Sequence, residues 1–147
     1  MTNAPVIDRE TIAMLQEMDA ITAKGSATEE NLLLELIDEF LVHSATLVKV
    51  IEHSLQVDIL QRDTLPLDTM TELAAQSHSL KGASLNIGAL ALFQICDTIE
   101  TLARQQRITK VDHWAAELND TYQETALALA ELRSRASRGE TIDDLLG

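Results

Sequence analysis

Between Glu72 and Leu85, one helical stretch brings together a histidine, a lysine and a glycine at a spacing that suits nucleophilic group transfer. His78 is followed by Lys81 and Gly82 and preceded by Ala74 and Ala75. Positions three and four apart are neighbours on a helix surface, so the imidazole is ringed by one ammonium and three very small residues. The buried stripe of this helix is predicted to pass through Leu73, Gln76 or Ser77, Leu80, Ala83 or Ser84, and Ile87. At about 100° per residue, His78 falls roughly 160° from Leu80, on the opposite face. An imidazole there offers a nucleophilic nitrogen near neutral pH. Lys81, one turn on, can stabilise the oxygens of a phosphoryl group and discourage protonation of the ring. Gly82 in mid-helix costs up to ~1 kcal/mol relative to alanine. One reason to carry it is clearance for a second protein approaching the imidazole; close packing of a neighbouring helix is the other.

Each residue taken singly also has an ordinary reading. An isolated histidine on a helix is commonly plain surface, and a lone lysine is a solvated charge. His43, His53 and His113 show no paired ligand spacing, so a metal site is not expected. Cys96, the single cysteine, reads as a helix-packing residue, since it can form no intrachain disulfide and belongs to no CxxC pattern.

The elements that position these residues follow from helical periodicity. A first helix is predicted from about Asp8 to Ala23, with Ile12, Leu15 and Met18 on one stripe, Met14 beside them, and Gly25 as its C-terminal cap. A second, with Thr28 as N-cap, carries Leu33, Ile37, Phe40, Leu47, Ile51 and Leu55 at helical spacing. Residues Val57 to Pro66 read as a connection, and Asp68 is placed to cap a third helix running to about Leu85. Asn86-Ile87-Gly88 is a tight break before a fourth helix, Ala89 to about Gln106. A fifth runs from near Lys110 to about Ala136, with Val111, Trp114, Leu118, Thr125, Leu129 and Leu132 on one side, and the tail 137–147 is weakly periodic. Four long helices with short connections predict an all-α, antiparallel four-helix bundle, with the first helix packed across one end. The whole chain, 1–147, is expected to be a single domain with its core at about 28–136.

Composition agrees with that architecture. Apolar residues make up 46% of the 147 residues but aromatic ones only 3%, and 5 Gly and 2 Pro leave little turn chemistry for many short strands. The formal net charge of −13, from 24 acidic and 11 basic residues, repels phosphate backbones and anionic lipids. Nucleic-acid and membrane-surface binding are therefore not expected, whereas a partner with a basic docking rim would be steered in. The N-terminus MTNAPVIDRE lacks the features of a secretory signal, and no stretch approaches ~18 consecutive apolar residues, so the expected location is the cytoplasm.

The run His78-Ser79-Leu80-Lys81-Gly82-Ala83-Ser84, with Asn86-Ile87-Gly88-Ala89 after it, resembles the signature of histidine-containing phosphotransfer (HPt) domains. Leu92, Cys96, Ile99-Glu100 and Ala103-Arg104 look like the family's following helix, and Leu36 to Leu41 like the preceding one. The resemblance spans roughly Leu32 to Arg104; the first and last helices match only in kind. It implies a phosphoryl carrier in multistep two-component phosphorelays, with response-regulator receiver domains and a hybrid histidine kinase as partners. His78 would be the phosphoacceptor through Nε2, Lys81 would steady the phosphoryl oxygens, and Gly82 would leave room for the receiver. Glu100 falls where the family often carries a Gln or Glu that hydrogen-bonds Nδ1; a bare i,i+4 pair with Arg104 is the other reading of that residue. Met14, Leu15, Met18, Ala74, Ala75 and Leu85 would extend the docking surface, although the stripe of the first helix can also simply cap the core. No resident cofactor is implied, Mg²⁺ being expected on the partner receiver, and without a Walker-type loop the chain is not expected to phosphorylate itself from ATP. A monomer is expected. The alternative is an HPt-like docking module that binds receivers or a kinase and regulates without being phosphorylated.

Overall fold

The computed structural model describes residues 4–23, 32–56 and 65–139. Its described residues form five helices: α1 Arg9–Ala23, α2 Leu32–Gln56, α3 Leu67–Ile87, α4 Leu90–Arg104 and α5 Val111–Ser137. The predicted caps Gly25 and Thr28, most of the connection 57–66 and the tail beyond Gly139 lie outside the described residues.

Helices α2 to α5 close into a ring in which α2 packs on α3, α3 on α4, α4 on α5 and α5 back on α2. The direction of packing follows from paired residues. Lys81 meets Asp97 while His78 meets Glu100, so stepping back along α3 steps forward along α4, and the two run antiparallel. Ser44 with Tyr122, and Asp38 with Arg133, show the same for α2 and α5. This is the antiparallel four-helix bundle that the periodicity predicts. The core is built from the predicted stripes: Leu33, Ile37, Phe40, Leu47, Ile51 and Leu55 of α2 and Leu118, Leu129 and Leu132 of α5 are all buried. Ser44 interrupts the α2 stripe; its hydroxyl pairs with Tyr122 Oη at 3.0 Å, so a polar group inside the helix interface keeps a partner.

Two details of the ends differ from expectation. Helix α3 begins at Leu67 with Pro66 in the N-cap position and no side-chain cap, so Asp68 sits inside the first turn and does not cap it. There its charge still faces the positive end of the helix dipole. Helix α3 also runs two residues further than predicted, through Asn86 and Ile87, before Gly88 adopts φ 79°. The N–H groups of Gly88 and Ala89 return to the carbonyls of Leu85 and Ser84, a Schellman-type stop that needs a left-handed residue.

That turn is also where the N-terminal segment attaches. Asp8 N–H donates to Gly88 O at 2.7 Å and Ala91 N–H donates to Pro5 O at 2.9 Å, which lays α1 across the α3–α4 end of the bundle. A Cβ at Gly88 would lie 2.8 Å from Thr11 Cβ, so both the backbone conformation and the approach of α1 require glycine. Ile12 and Leu15 of α1 are buried under this contact, while Met14 and Met18 are exposed.

Candidate functional site

His78 lies about midway along α3, with 62% of its side chain exposed, whereas Leu80 is fully buried. Its four helical neighbours divide by side. Ala74 and Lys81 fall on the flank of His78 that faces α4; Ala75 and Gly82 fall on the other flank and are exposed. Ala74 is buried in the core, so it cannot form part of an exposed docking surface as the sequence suggested. The reason is that α4 covers that flank. Leu15 is buried for the corresponding reason, α1 lying on α2 and α3, and it too is corrected from docking surface to core. Met14, Met18, Ala75 and Leu85 are exposed.

Gly82 has an unambiguous environment. Among the described residues a Cβ built there meets nothing within 4 Å, so none of their packing requires the glycine. Close approach of any of the described helices is thereby excluded as its purpose, and no described residue fills the space beside the imidazole.

The α4 flank carries the charged chemistry. Glu100, buried in the groove between α3 and α4 with 7% of its side chain exposed, directs Oε2 to His78 Nδ1 at 3.0 Å. Arg104 donates Nε–H to the same oxygen at 2.8 Å, and its second guanidinium nitrogen also lies 2.8 Å away. Lys81 Nζ stands 2.6 Å from Oε1 and 3.4 Å from Asp97 Oδ1. The Lys81–Oε1 approach is an ion-pair contact, and among the described residues no aligned hydrogen bond reaches Oε1. Both readings offered for Glu100 are therefore true together: it holds the imidazole and it pairs with Arg104. Burial disfavours its ionised form, but the contacts with Lys81 and Arg104 outweigh burial and hold the carboxyl below its ordinary value. Reciprocally, the Glu100 contact outweighs partial burial and holds the Lys81 ammonium above its ordinary value.

This geometry fixes the imidazole. An ionised carboxylate can only accept a hydrogen bond, so Nδ1 carries a proton, and in the neutral ring the lone pair is then on Nε2. Among the described residues nothing hydrogen-bonds Nε2. Cys96, one turn before Glu100, is fully buried, and burial pushes its thiol up to about 12, which leaves it a packing residue with no nucleophilic thiolate. Sequence reasoning missed Asp97 as a partner of Lys81, because the two are 16 positions apart and only the α3–α4 register brings them together.

Bundle and site together define an all-α domain that displays one oriented, solvent-facing histidine from the middle of a helix. The profile of the Hpt domain family matches residues 35–135, and the chain belongs to that family, whose members are the phosphotransfer domains of phosphorelays. The structure is similar to the crystal structure of histidine-containing phosphotransfer protein B (HptB) from Pseudomonas aeruginosa PAO1, with a TM-score of 0.68 at 21% identity, over 90% of this chain and 98% of that one. At that identity the likeness is one of fold. The sequence matches no curated protein. Among the described residues no helix is long and apolar enough to cross a membrane.

Proposed function

We propose that this protein is a phosphoryl carrier whose acceptor atom is His78 Nε2, taking the group from a phospho-aspartate of one receiver domain and passing it to an aspartate of another. The observation that supports this most directly is the Nδ1–Glu100 hydrogen bond on an otherwise exposed imidazole. In the neutral ring it puts the proton on Nδ1 and the lone pair on the outer nitrogen, which no described residue hydrogen-bonds.

In the forward step the Nε2 lone pair attacks phosphorus in line with the acyl-phosphate oxygen. The N–P bond forms as the P–O bond breaks, and the receiver's aspartate leaves as a carboxylate. The ring becomes cationic with its proton still on Nδ1, and the Glu100 carboxylate beneath it balances that charge. Lys81, whose ammonium is held on the α4 flank of His78, is within a side-chain rotation of the incoming oxygens and can leave Oε1 or Asp97 for them. Gly82 and Ala75 keep the opposite flank low enough for the receiver's surface to close over the phosphorus. The second step runs the same chemistry in reverse, with N–P broken and a new acyl phosphate made on the other receiver. Mg²⁺ belongs to the receiver's acidic pocket in this scheme.

The test is incubation of the purified protein with a radiolabelled phospho-receiver and Mg²⁺, beside His78→Gln. Transfer predicts label that is stable in alkali, lost in acid and absent from the substituted protein. Equal labelling of His78→Gln would place the phosphosite elsewhere, and no transfer from a panel of receivers would favour a docking module.

A further inference from the structure

Glu100 is the only carboxylate on His78 Nδ1 among the described residues, yet it carries more positive partners than orientation of the ring needs. The titratable and charged groups acting on it come from α3, as His78 and Lys81, and from its own helix, as Arg104; α5, also packed on α4, adds none to that set. Cys96 faces it as a neutral thiol, and Asp97 reaches the cluster only through Lys81.

The two cations are not equivalent. During transfer Lys81 turns to the phosphoryl oxygens as the group arrives, and its ion pair with Oε1 is given up. Arg104 has no such second task. It approaches Oε2, the oxygen that faces Nδ1, with two nitrogens at 2.8 Å, a forked contact that a point charge cannot reproduce. If the buried carboxyl took up a proton once Lys81 left, its O–H could donate to Nδ1. The ring proton would then sit on Nε2, and the nucleophilic lone pair would be on the wrong nitrogen.

We propose that Arg104 is a positioning residue for phosphotransfer: it keeps Glu100 ionised and its Oε2 aimed at His78 Nδ1 while Lys81 serves the phosphoryl group. This rests on the reading of His78 as phosphoacceptor. The Arg104 side chain is itself 57% exposed, so replacing it need not disturb the core.

The experiment compares the wild type with Arg104→Ala, Arg104→Lys and Glu100→Gln by two readouts. One is the ¹⁵N chemical shifts of the His78 ring, which report the tautomer without any phosphotransfer. The other is the pH profile of the transfer rate from a phospho-receiver. For Arg104→Ala, the ring proton should shift toward Nε2 and the acid limb of the rate should move up. At pH values below both midpoints the rate should be about tenfold below wild type, the equivalent of one unit of pKa, with the gap closing toward alkaline pH. Arg104→Lys should recover part of the loss. In a Glu100→Gln background, where the acceptor cannot take up a proton, Arg104→Ala should leave the pH profile unmoved. Ring shifts and a pH profile identical to wild type would overturn the proposal. So would a uniform loss of rate at every pH with unchanged shifts, which would make Arg104 a receiver contact. If the wild type accepts no phosphoryl group, the phosphocarrier reading fails while the ring shifts still decide whether Arg104 sets the tautomer.

Discussion

At the scale of single residues, Gly82 separates what helps folding from what serves access. It is exposed in mid-helix and a Cβ there meets nothing among the described residues, so Gly82→Ala should stabilise the bundle by ~0.5–1 kcal/mol through helix propensity alone. A longer side chain at the same place, as in Gly82→Gln, should keep the fold but reduce phosphotransfer by about 100-fold, since displacing the reacting atoms by an ångström has that order of effect. Thermal melts and transfer rates on the same samples check both. A destabilised Gly82→Ala would mean the helix has a hidden need for glycine. Glu100 gives a pH prediction with a definite sign. Burial works to raise its pKa, but Lys81 and Arg104 prevail and hold it below the ordinary value of 4.5 in the folded state. The folded state thus binds fewer protons than the unfolded one in that range. The stability this carboxylate contributes is present above 4.5 and is lost as pH falls through the lowered value. Melting temperatures followed downward from neutral pH should fall less steeply in Glu100→Gln than in the wild type.

Secondary-structure elements set where those residues meet. The α3–α4 connection is two residues long, and its left-handed Gly88 fixes the register that puts Glu100 opposite His78. The same glycine receives α1, through the Asp8 hydrogen bond and the contact with Thr11. Gly88→Ala should therefore cost ~2 kcal/mol or more: a left-handed alanine costs about 1–2 kcal/mol, and the Cβ at 2.8 Å from Thr11 must push α1 away. Chemical denaturation checks the magnitude. A second substitution, Thr11→Gly, should recover the steric part and leave the backbone part. Along the opposite seam, α2 and α5 are joined by Ser44–Tyr122 inside the interface and by the forked Arg133–Asp38 pair at its surface. That pair holds Asp38 below its ordinary carboxyl range, the Arg133 hydrogen bonds being the larger influence. With both groups well exposed, the pair marks register more than it adds stability.

For the whole molecule the net charge of −13 is the dominant long-range property. Under the proposed function, a phosphorylated receiver would reach His78 through that field. Receivers with a basic rim should be steered in, and their association should slow as salt screens the attraction, the Debye length falling from ~10 Å at 0.1 M to ~3 Å at 1 M. Stopped-flow or quench-flow transfer rates at limiting receiver concentration should drop with ionic strength, whereas the rate at saturating receiver should change little. A salt-independent second-order rate would show that the acidic surface takes no part in recognition.

The sequence alone determined the five helices, the stripes that fill the core, the exposed direction of His78 and the small residues that surround it. Those features are encoded within three or four residues of one another, where helical geometry needs no tertiary information. Resemblance to the HPt signature added the expectation that Glu100 meets Nδ1. Packing decided the rest. Ala74 and Ala75 look alike from His78 on a helical wheel, but only Ala74 lies under α4, and the wheel cannot say which flank a neighbour covers. Whether Gly82 serves clearance or close packing depended on the atoms around it, and among the described residues none lies within 4 Å of where a Cβ would stand. The joint hold of Lys81 and Arg104 on a buried Glu100, and the place of Asp97 beside them, arise from the register of two antiparallel helices set by the Gly88 turn. Contacts 16 to 22 positions apart carry no local signature, because the energy that brings them together is the burial of the core beneath them.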